Sequence, residues 1–395
     1  MSSPSRNAPA WRRELAAAIT DPAALAGLCP ARGLDPAQVA RAAERFPGRV
    51  TPGYAALIDP DDPDDPIAAM VLPDPRELRS APHLHLDPLA EERDSPLPGL
   101  VHRYRDRVLL VLTGRCPGHC RFCMRRRVVG RPVRGRGERW LEAVSDYLRD
   151  HEEVREVLLS GGDPLLLSDG RLQRVLAAVR RAPHVELVRV DTRTPVVLPS
   201  RVTDELAALL RRHAPLFVVT HFDHPRELTD GAVEACGRLQ DAGIPVENQA
   251  VLLAGVNDDP EVMEALCRGL LRARVRPYYL HQCDLVEGTE HFRTPLARGR
   301  AILRHLTGRV GGHGIPRYVV DAPGGHGKAP VAPETVVGRD AGGTFLRAPD
   351  GAVVRYPDPV EFDGSGGNSD DFTTKLCDED VHRLRCSVSY DPDST

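Results

Sequence analysis

The sequence predicts an α/β fold, a partial or complete parallel barrel preceded by a helical extension. Short β-branched runs alternate with helical patterns from about residue 107, and six such units follow one another. The chemically unusual residues recur just after the predicted strands. Strand–helix alternation with right-handed crossovers produces a parallel sheet, and reactive groups in such folds gather on the loops leaving the strand carboxyl ends. Periodicity alone leaves a barrel and an open doubly wound sheet equally available.

Residues 1–95 read as a helical and irregular region. An amphipathic start spans Trp11 to Ile19, and Asp35 caps a helix that Pro36 opens. The run DPDDPDDP reads as a solvated loop or linker. Residues 96–310 form the core. Its expected strands are Val108–Thr113, Glu156–Ser160, Leu187–Asp191, Leu216–His221, Val246–Leu253 and Pro277–Gln282. Helical segments lie between them: Gly137–Arg149, Gly170–Arg181, Thr203–Arg212, Thr229–Asp241 and Asp259–Ala273. Residues 311–362 carry the apolar run Tyr318–Val320 and a Gly-rich turn. Residues 363–395 read as a polar, flexible tail.

The bulk numbers exclude some classes. A net charge of -4 over 395 residues lacks the positive excess of a nucleic-acid binder. No stretch is long and apolar enough for a bilayer, and MSSPSRNAPAWRREL does not read as a secretory signal, so a cytoplasmic protein is expected. Nine cysteines is an odd number, and three crowd into eight residues, which points to metal binding rather than to a disulfide framework.

Those three are Cys116, Cys120 and Cys123, in RCPGHCRFCMRRR. One loop can wrap three thiolates around a single [4Fe–4S] cluster, leaving the fourth iron open, as a catalytic metal centre requires. The alternatives are zinc with a distant fourth ligand such as His119, or unrelated thiols, although no second CxxC completes a zinc knuckle. The three-then-two spacing, with Phe122 before the last cysteine, resembles the radical S-adenosylmethionine superfamily. So does Ser160–Pro164, SGGDP, one βα unit later. The resemblance implies that the open iron chelates S-adenosylmethionine, with Ser160, Gly161, Gly162 and Asp163 beside its methionine portion, and that one electron releases a 5′-deoxyadenosyl radical. An external donor of the flavodoxin or ferredoxin type would supply that electron.

A second constellation is YVVDAPGGHGKAP, where Lys328 follows a Gly-rich turn. A nucleotide P-loop needs a different spacing and a following Ser/Thr, so that motif fails. A Schiff-base lysine for pyridoxal phosphate and a plain surface lysine stay open on the residues alone.

Over residues 100–335 the chain resembles the lysine 2,3-aminomutase family. The resemblance rests on HRYRDRVLLVLT, CRFCMRRR, SGGDPLLL, RTPVVLP, HFDHPRELT, NQAVLLAGVND, YYLHQCDL, HFRTPLARG and VVDAPGGHGK, in that order. It implies a partial (β/α)6-type barrel and a homo-oligomer. It further implies pyridoxal 5′-phosphate bound covalently by Lys328 and held by Arg103, Tyr104 and Arg107. His221 and Gln249 would approach S-adenosylmethionine. Arg125 would bind the substrate carboxylate, and Asp284 with Asp321 would grip a distal ammonium, selecting lysine. Two carboxylates suit a cationic tail because a desolvated charge must be matched. The implied reaction moves the α-amino group of L-lysine to the β-carbon. An arginine mutase, a mutase modifying elongation factor P and a catalytically silent iron–sulfur or pyridoxal-binding protein are the alternatives.

The chain departs from the family pattern in two places. Some clostridial-type members bind zinc through a cysteine in the VND loop and cysteines near the carboxyl end. Here Asp259 takes that position and the tail holds only Cys377 and Cys386, which puts the zinc in doubt. His326 replaces a glycine before Lys328.

Overall fold

The computed structural model describes residues 8–79, 81–340 and 343–357. Nine strands lie in sequence order in one sheet: β1 (Leu100–Tyr104), β2 (Arg107–Val111), β3 (Glu156–Ser160), β4 (Leu187–Asp191), β5 (Leu216–Thr220), β6 (Val246–Leu252), β7 (Arg276–Gln282), β8 (Arg317–Ala322) and β9 (Gly327–Pro330). An antiparallel hairpin joins β1 to β2, β2 through β8 pair in parallel, and β9 turns back antiparallel on β8. The sequence reading expects six parallel strands; the structure has a seventh. It grows from the apolar run Tyr318–Val320, too short to declare itself, because Arg317–Val319 finds a ladder against Tyr279–His281.

The sheet curls until its ends meet. The backbone N–H of Lys328 on β9 donates to the Tyr104 hydroxyl on β1 at 3.0 Å. The fold is therefore a nearly closed barrel rather than an open sheet. Its strands alternate in burial: on β4, Val188 and Val190 face the helices, while Arg189 and Asp191 face the interior. On β6, Glu247, Gln249 and Val251 alternate with deeply buried neighbours. The interior is thus lined with polar groups around a cavity, and the apolar core lies between sheet and helices.

The helices start where side-chain oxygens can take their free N–H groups. Ser168, Thr203, Thr229 and Asp259 cap Asp169–Val179, Asp204–Arg211, Asp230–Asp241 and Pro260–Arg272; each such cap contributes about 1 kcal/mol. Asp35 caps Pro36–Arg45 through Ala37 N, as its sequence position suggests. The Asp/Pro run departs from a solvated linker at its end. Asp65 is fully buried, caps Pro66–Val71 and pairs with Arg226 at 2.6 Å. Its carboxylate docks the N-terminal region on the barrel.

A second anchor ties that region to the cysteine loop. Arg121 donates Nε and NH2 to the two oxygens of Glu77 at 2.8 and 2.7 Å, and Arg126 donates to the same carboxylate. Burial opposes the charge on Glu77, and Arg121 with Arg126 overcomes it, holding its carboxyl below the usual range. Removing one partner of a buried pair leaves the other charge uncompensated. Glu77→Gln is expected to destabilise the protein by about 3–5 kcal/mol, read as a lowered thermal unfolding midpoint.

Residues up to Val331 form one compact unit and a second begins at Ala332. Within the second, β10 (Val336–Asp340), β11 (Gly343–Arg347) and β12 (Val353–Pro357) make an antiparallel sheet. The expected flexible tail lies outside the described residues. Among the described residues, no helix is long and apolar enough to cross a membrane.

Candidate active site

A cavity of about 320 Å³ occupies the mouth of the curled sheet, and every site residue singled out from the sequence lines it. These residues come from β1, β2, β3, β6, β8, β9 and the loops after β2, β3, β5 and β7, so only the curling of the sheet brings them together.

The cysteine loop follows β2. Cys116, Cys120 and Cys123 lie in one another's electrostatic field, and burial raises the pKa of all three, pushing the Cys123 thiol up to about 11. Three half-buried thiols on one loop, all lining the same cavity, are a donor set that an iron–sulfur cluster fits. His119 does not join them: its ring stacks on Phe46 and its Nδ1 meets the Pro47 carbonyl at 2.8 Å. His119 is also not among the residues that line the cavity with the three cysteines.

The Gly161–Gly162 turn after β3 lies directly against the strand leading into that loop. Gly161 has φ +132°, and a Cβ there would stand 2.5 Å from the Thr113 carbonyl oxygen. A Cβ on Gly162 would stand 2.2 Å from the Arg115 oxygen. The turn also donates Gly162 N to Thr113 O and Asp163 N to Arg115 O, at 2.6 and 2.7 Å. The glycines are thus needed for backbone against backbone. Asp163 is 1% exposed and accepts from Leu165 N, Thr192 Oγ1, Arg193 N and Thr194 N. Its carboxylate organises the turn and the loop after β4. His221 follows β5 and bonds Asp223 at 3.2 Å, while Gln249 lies on β6 facing the same cavity.

On β9, Lys328 Nζ pairs with both oxygens of Asp321 on β8, at 2.7 and 2.8 Å. Asp321 also meets His281 Nδ1 at 3.1 Å. Burial works against the Asp321 charge, but the His281 hydrogen bond and the Lys328 ammonium hold its carboxyl far below the ordinary range. Tyr104 fixes the Lys328 backbone from below, and the Arg107 guanidinium lies 3.9 Å from the Tyr104 ring centroid. Arg103 is held by Asp94 at 3.1 Å and by the Leu89 carbonyl. A lysine set beside cationic and aromatic groups at a cavity wall fits covalent attachment of a phosphate-bearing aldehyde cofactor.

His326 is accommodated in the turn before Lys328 for a simple reason. Its φ is -74°, an ordinary value, whereas Gly324, Gly325 and Gly327 have φ of 76°, 83° and 91°. Asp259 accepts from Glu261 N and Val262 N through its carboxylate as a helix cap. Cys377 and Cys386 lie outside the described residues.

Asp284, after β7, has no hydrogen-bond partner for its carboxylate among the described residues. Burial, then the charge of Asp321, raises its pKa to about 7, against opposing pulls from Lys328 and Arg125. Arg125 is gripped by Glu91 at 2.9 and 2.6 Å and donates to Ser160 Oγ at 3.1 Å. The sequence reading missed Glu91, which lies in the N-terminal region, as well as His281 and Arg193. Arg193 and His281 lie in RTPVVLP and YYLHQCDL, stretches that carry the family resemblance, but their roles are recognisable only by the groups they meet in the fold.

The profile of the radical SAM superfamily matches residues 110–266, and a lysine-2,3-aminomutase profile matches residues 303–389. An L-lysine 2,3-aminomutase of Clostridium subterminale is 46% identical over 335 residues, covering 85% of this chain and 80% of the relative. The namesake protein of Acetoanaerobium sticklandii is 46% identical over 313 residues, covering 79% and 76%. A glutamate 2,3-aminomutase of Clostridioides difficile is 38% identical over 353 residues, covering 89% and 83%.

Proposed function

Because this chain belongs to the lysine 2,3-aminomutase family of radical S-adenosylmethionine enzymes, we propose that it converts L-lysine to β-lysine by moving the α-amino group to the β-carbon. The observation carrying this reading is the pair Asp284 and Asp321 on the wall that also holds Lys328, within one cavity with the cysteine loop. The family implies a [4Fe–4S] cluster, S-adenosylmethionine and pyridoxal 5′-phosphate. When bound, they supply a carbon radical that takes the β-hydrogen and a conjugated carrier on which the nitrogen shifts.

The chain's own residues position and select. Cys116, Cys120 and Cys123 would hold the cluster, with Ser160, Gly161, Gly162, Asp163, His221 and Gln249 around S-adenosylmethionine. Lys328 would carry pyridoxal phosphate, with Arg103, Tyr104 and Arg107 around it. Arg125, oriented by Glu91, presents its remaining N–H groups to the substrate carboxylate. With Lys328 holding the cofactor, its charge would no longer satisfy Asp321, and the substrate ammonium would take that place between Asp321 and Asp284. A glutamate side chain would meet two carboxylates there and be repelled. The reading includes a cytoplasmic homo-oligomer reduced by a flavodoxin or ferredoxin.

The test is anaerobic reconstitution with iron, sulfide, pyridoxal phosphate, S-adenosylmethionine and a reductant, offering lysine, arginine or glutamate separately. Mass spectrometry of derivatised products should find β-lysine. Turnover of arginine or glutamate alone would displace the substrate assignment, and no turnover of any would displace the mutase.

The elevated Asp284 pKa gives a pH dependence. Cation binding needs the carboxylate, so below about pH 7 each substrate molecule must also displace a proton. The KM for lysine is expected to rise about tenfold per pH unit there, since one unit of pKa is worth about 1.4 kcal/mol. An initial-rate profile checks this, and a KM flat from pH 5 to 8 would count against it.

A further inference from the structure

We propose that Arg193 is a positioning residue that sets the reduction potential of the iron–sulfur cluster by donating a hydrogen bond to the sulfur of Cys120. This rests on the reading in which Cys116, Cys120 and Cys123 hold that cluster.

Arg193 follows β4 and is 6% exposed. Its backbone N–H donates to Asp163 at 2.9 Å, which ties it to the Gly161–Gly162 turn. The guanidinium divides its donors. NH2 meets Glu227 at 2.6 Å and the Tyr54 hydroxyl at 3.2 Å, with Asp223 at 3.4 Å, while NH1 donates to Cys120 Sγ. Its carbon lies 5.5 Å from the Phe122 ring centroid, inside the cysteine loop. Glu227 and Asp223 are both fully buried, so the charge of Arg193 is already matched by carboxylates. What it adds at the cysteine is a directed N–H. At Cys116 and Cys123, where burial raises the thiol pKa, the backbone N–H groups of Gly118 and Arg125 pull it down. Among the described residues, Arg193 is the only side chain that donates to a cysteine of this loop.

A hydrogen bond to a cluster thiolate withdraws electron density from the sulfur and favours the more negative, reduced cluster. A guanidinium cannot lose its proton, so the donor is permanent. Glu227 acts in the opposite sense as a nearby anion, and glutamine in its place removes that charge while keeping an acceptor oxygen that aims NH2, and therefore NH1. Lysine in place of Arg193 keeps a cation but cannot span the sulfur and Glu227 with a planar fork.

The experiment is an EPR-monitored redox titration of the reconstituted full chain, without substrate, alongside iron and sulfide content. Arg193→Gln should make one-electron reduction about tenfold less favourable, a fall in midpoint of about 59 mV. Arg193→Lys should shift the midpoint in the same direction by less, and Glu227→Gln should shift it upward. Merely loosened packing would not drive the glutamine variants in opposite directions. Unchanged midpoints at full iron content, or both glutamine variants moving the same way, would overturn the proposal. If Arg193→Gln fails to retain iron, Arg193→Lys and Glu227→Gln decide on the same terms. A wild-type chain that binds no cluster removes this assignment together with the functional reading; a normal cluster with unmoved variants removes this one alone.

Discussion

Lys328→Ala is expected to abolish turnover, lowering it on the order of 10⁴-fold or more, while leaving the iron content of the reconstituted protein unchanged. The two readouts separate because Lys328 lies on β9 and its hydrogen-bond partners are Asp321 and Tyr104, with no cysteine among them. The variant should also lose the visible absorbance of covalently bound pyridoxal phosphate. Asp321 loses its closest cation in this variant and keeps only His281, so its carboxyl is expected to titrate higher than in the wild type. A Lys328→Ala protein that still isomerised lysine would refute the covalent role. One that lost its iron as well would mean that the two walls of the cavity are coupled through the fold.

The second large effect concerns substrate selection. Asp284→Asn is expected to lower kcat/KM for lysine by about 10²–10³-fold, because a buried ammonium that loses one of its carboxylates costs several kcal/mol. The loss should appear mainly in KM, since Asp284 has no other hydrogen-bonded partner among the described residues and acts only on the cation. The fall in affinity below pH 7 should disappear with it. Asp321→Asn should behave differently. Asp321 also holds Lys328 and His281, so its loss should lower kcat as well as raise KM. Steady-state kinetics on both variants check this asymmetry; equal effects on KM alone would show that the pair acts only as a binding clamp.

That asymmetry is invisible along the chain. Asp284 lies in YYLHQCDL and Asp321 in VVDAPGGHGK, and neither stretch says how the two carboxylates are held. The difference arises because β8 and β9 pair antiparallel with Asp321 directly opposite Lys328, whereas Asp284 sits on a loop after β7. The glycine pair shows the same lesson. Its spacing after β3 is plain in the sequence, but its tight contact with the backbone of Thr113 and Arg115 depends on the way the neighbouring strand ends. Asp65 and Glu77 read as members of an acidic, irregular region until Arg226, Arg121 and Arg126 come up against them. The seventh parallel strand, too, needed its partner β7 to become a strand at all.

By itself the sequence determined the alternation of strands and helices, the cysteine loop, the glycine turn, the lysine turn and the families they resemble. All of these are local: a periodicity, a spacing or a motif is complete within a few residues. The tertiary structure decided that the sheet curls into a nearly closed barrel, that Lys328 is paired with Asp321, and that Glu91 and Arg193 stand behind Arg125 and Cys120. These depend on charges far apart in the chain meeting where water is excluded. The strength of such a meeting is set by distance and burial, and neither is written in the order of residues.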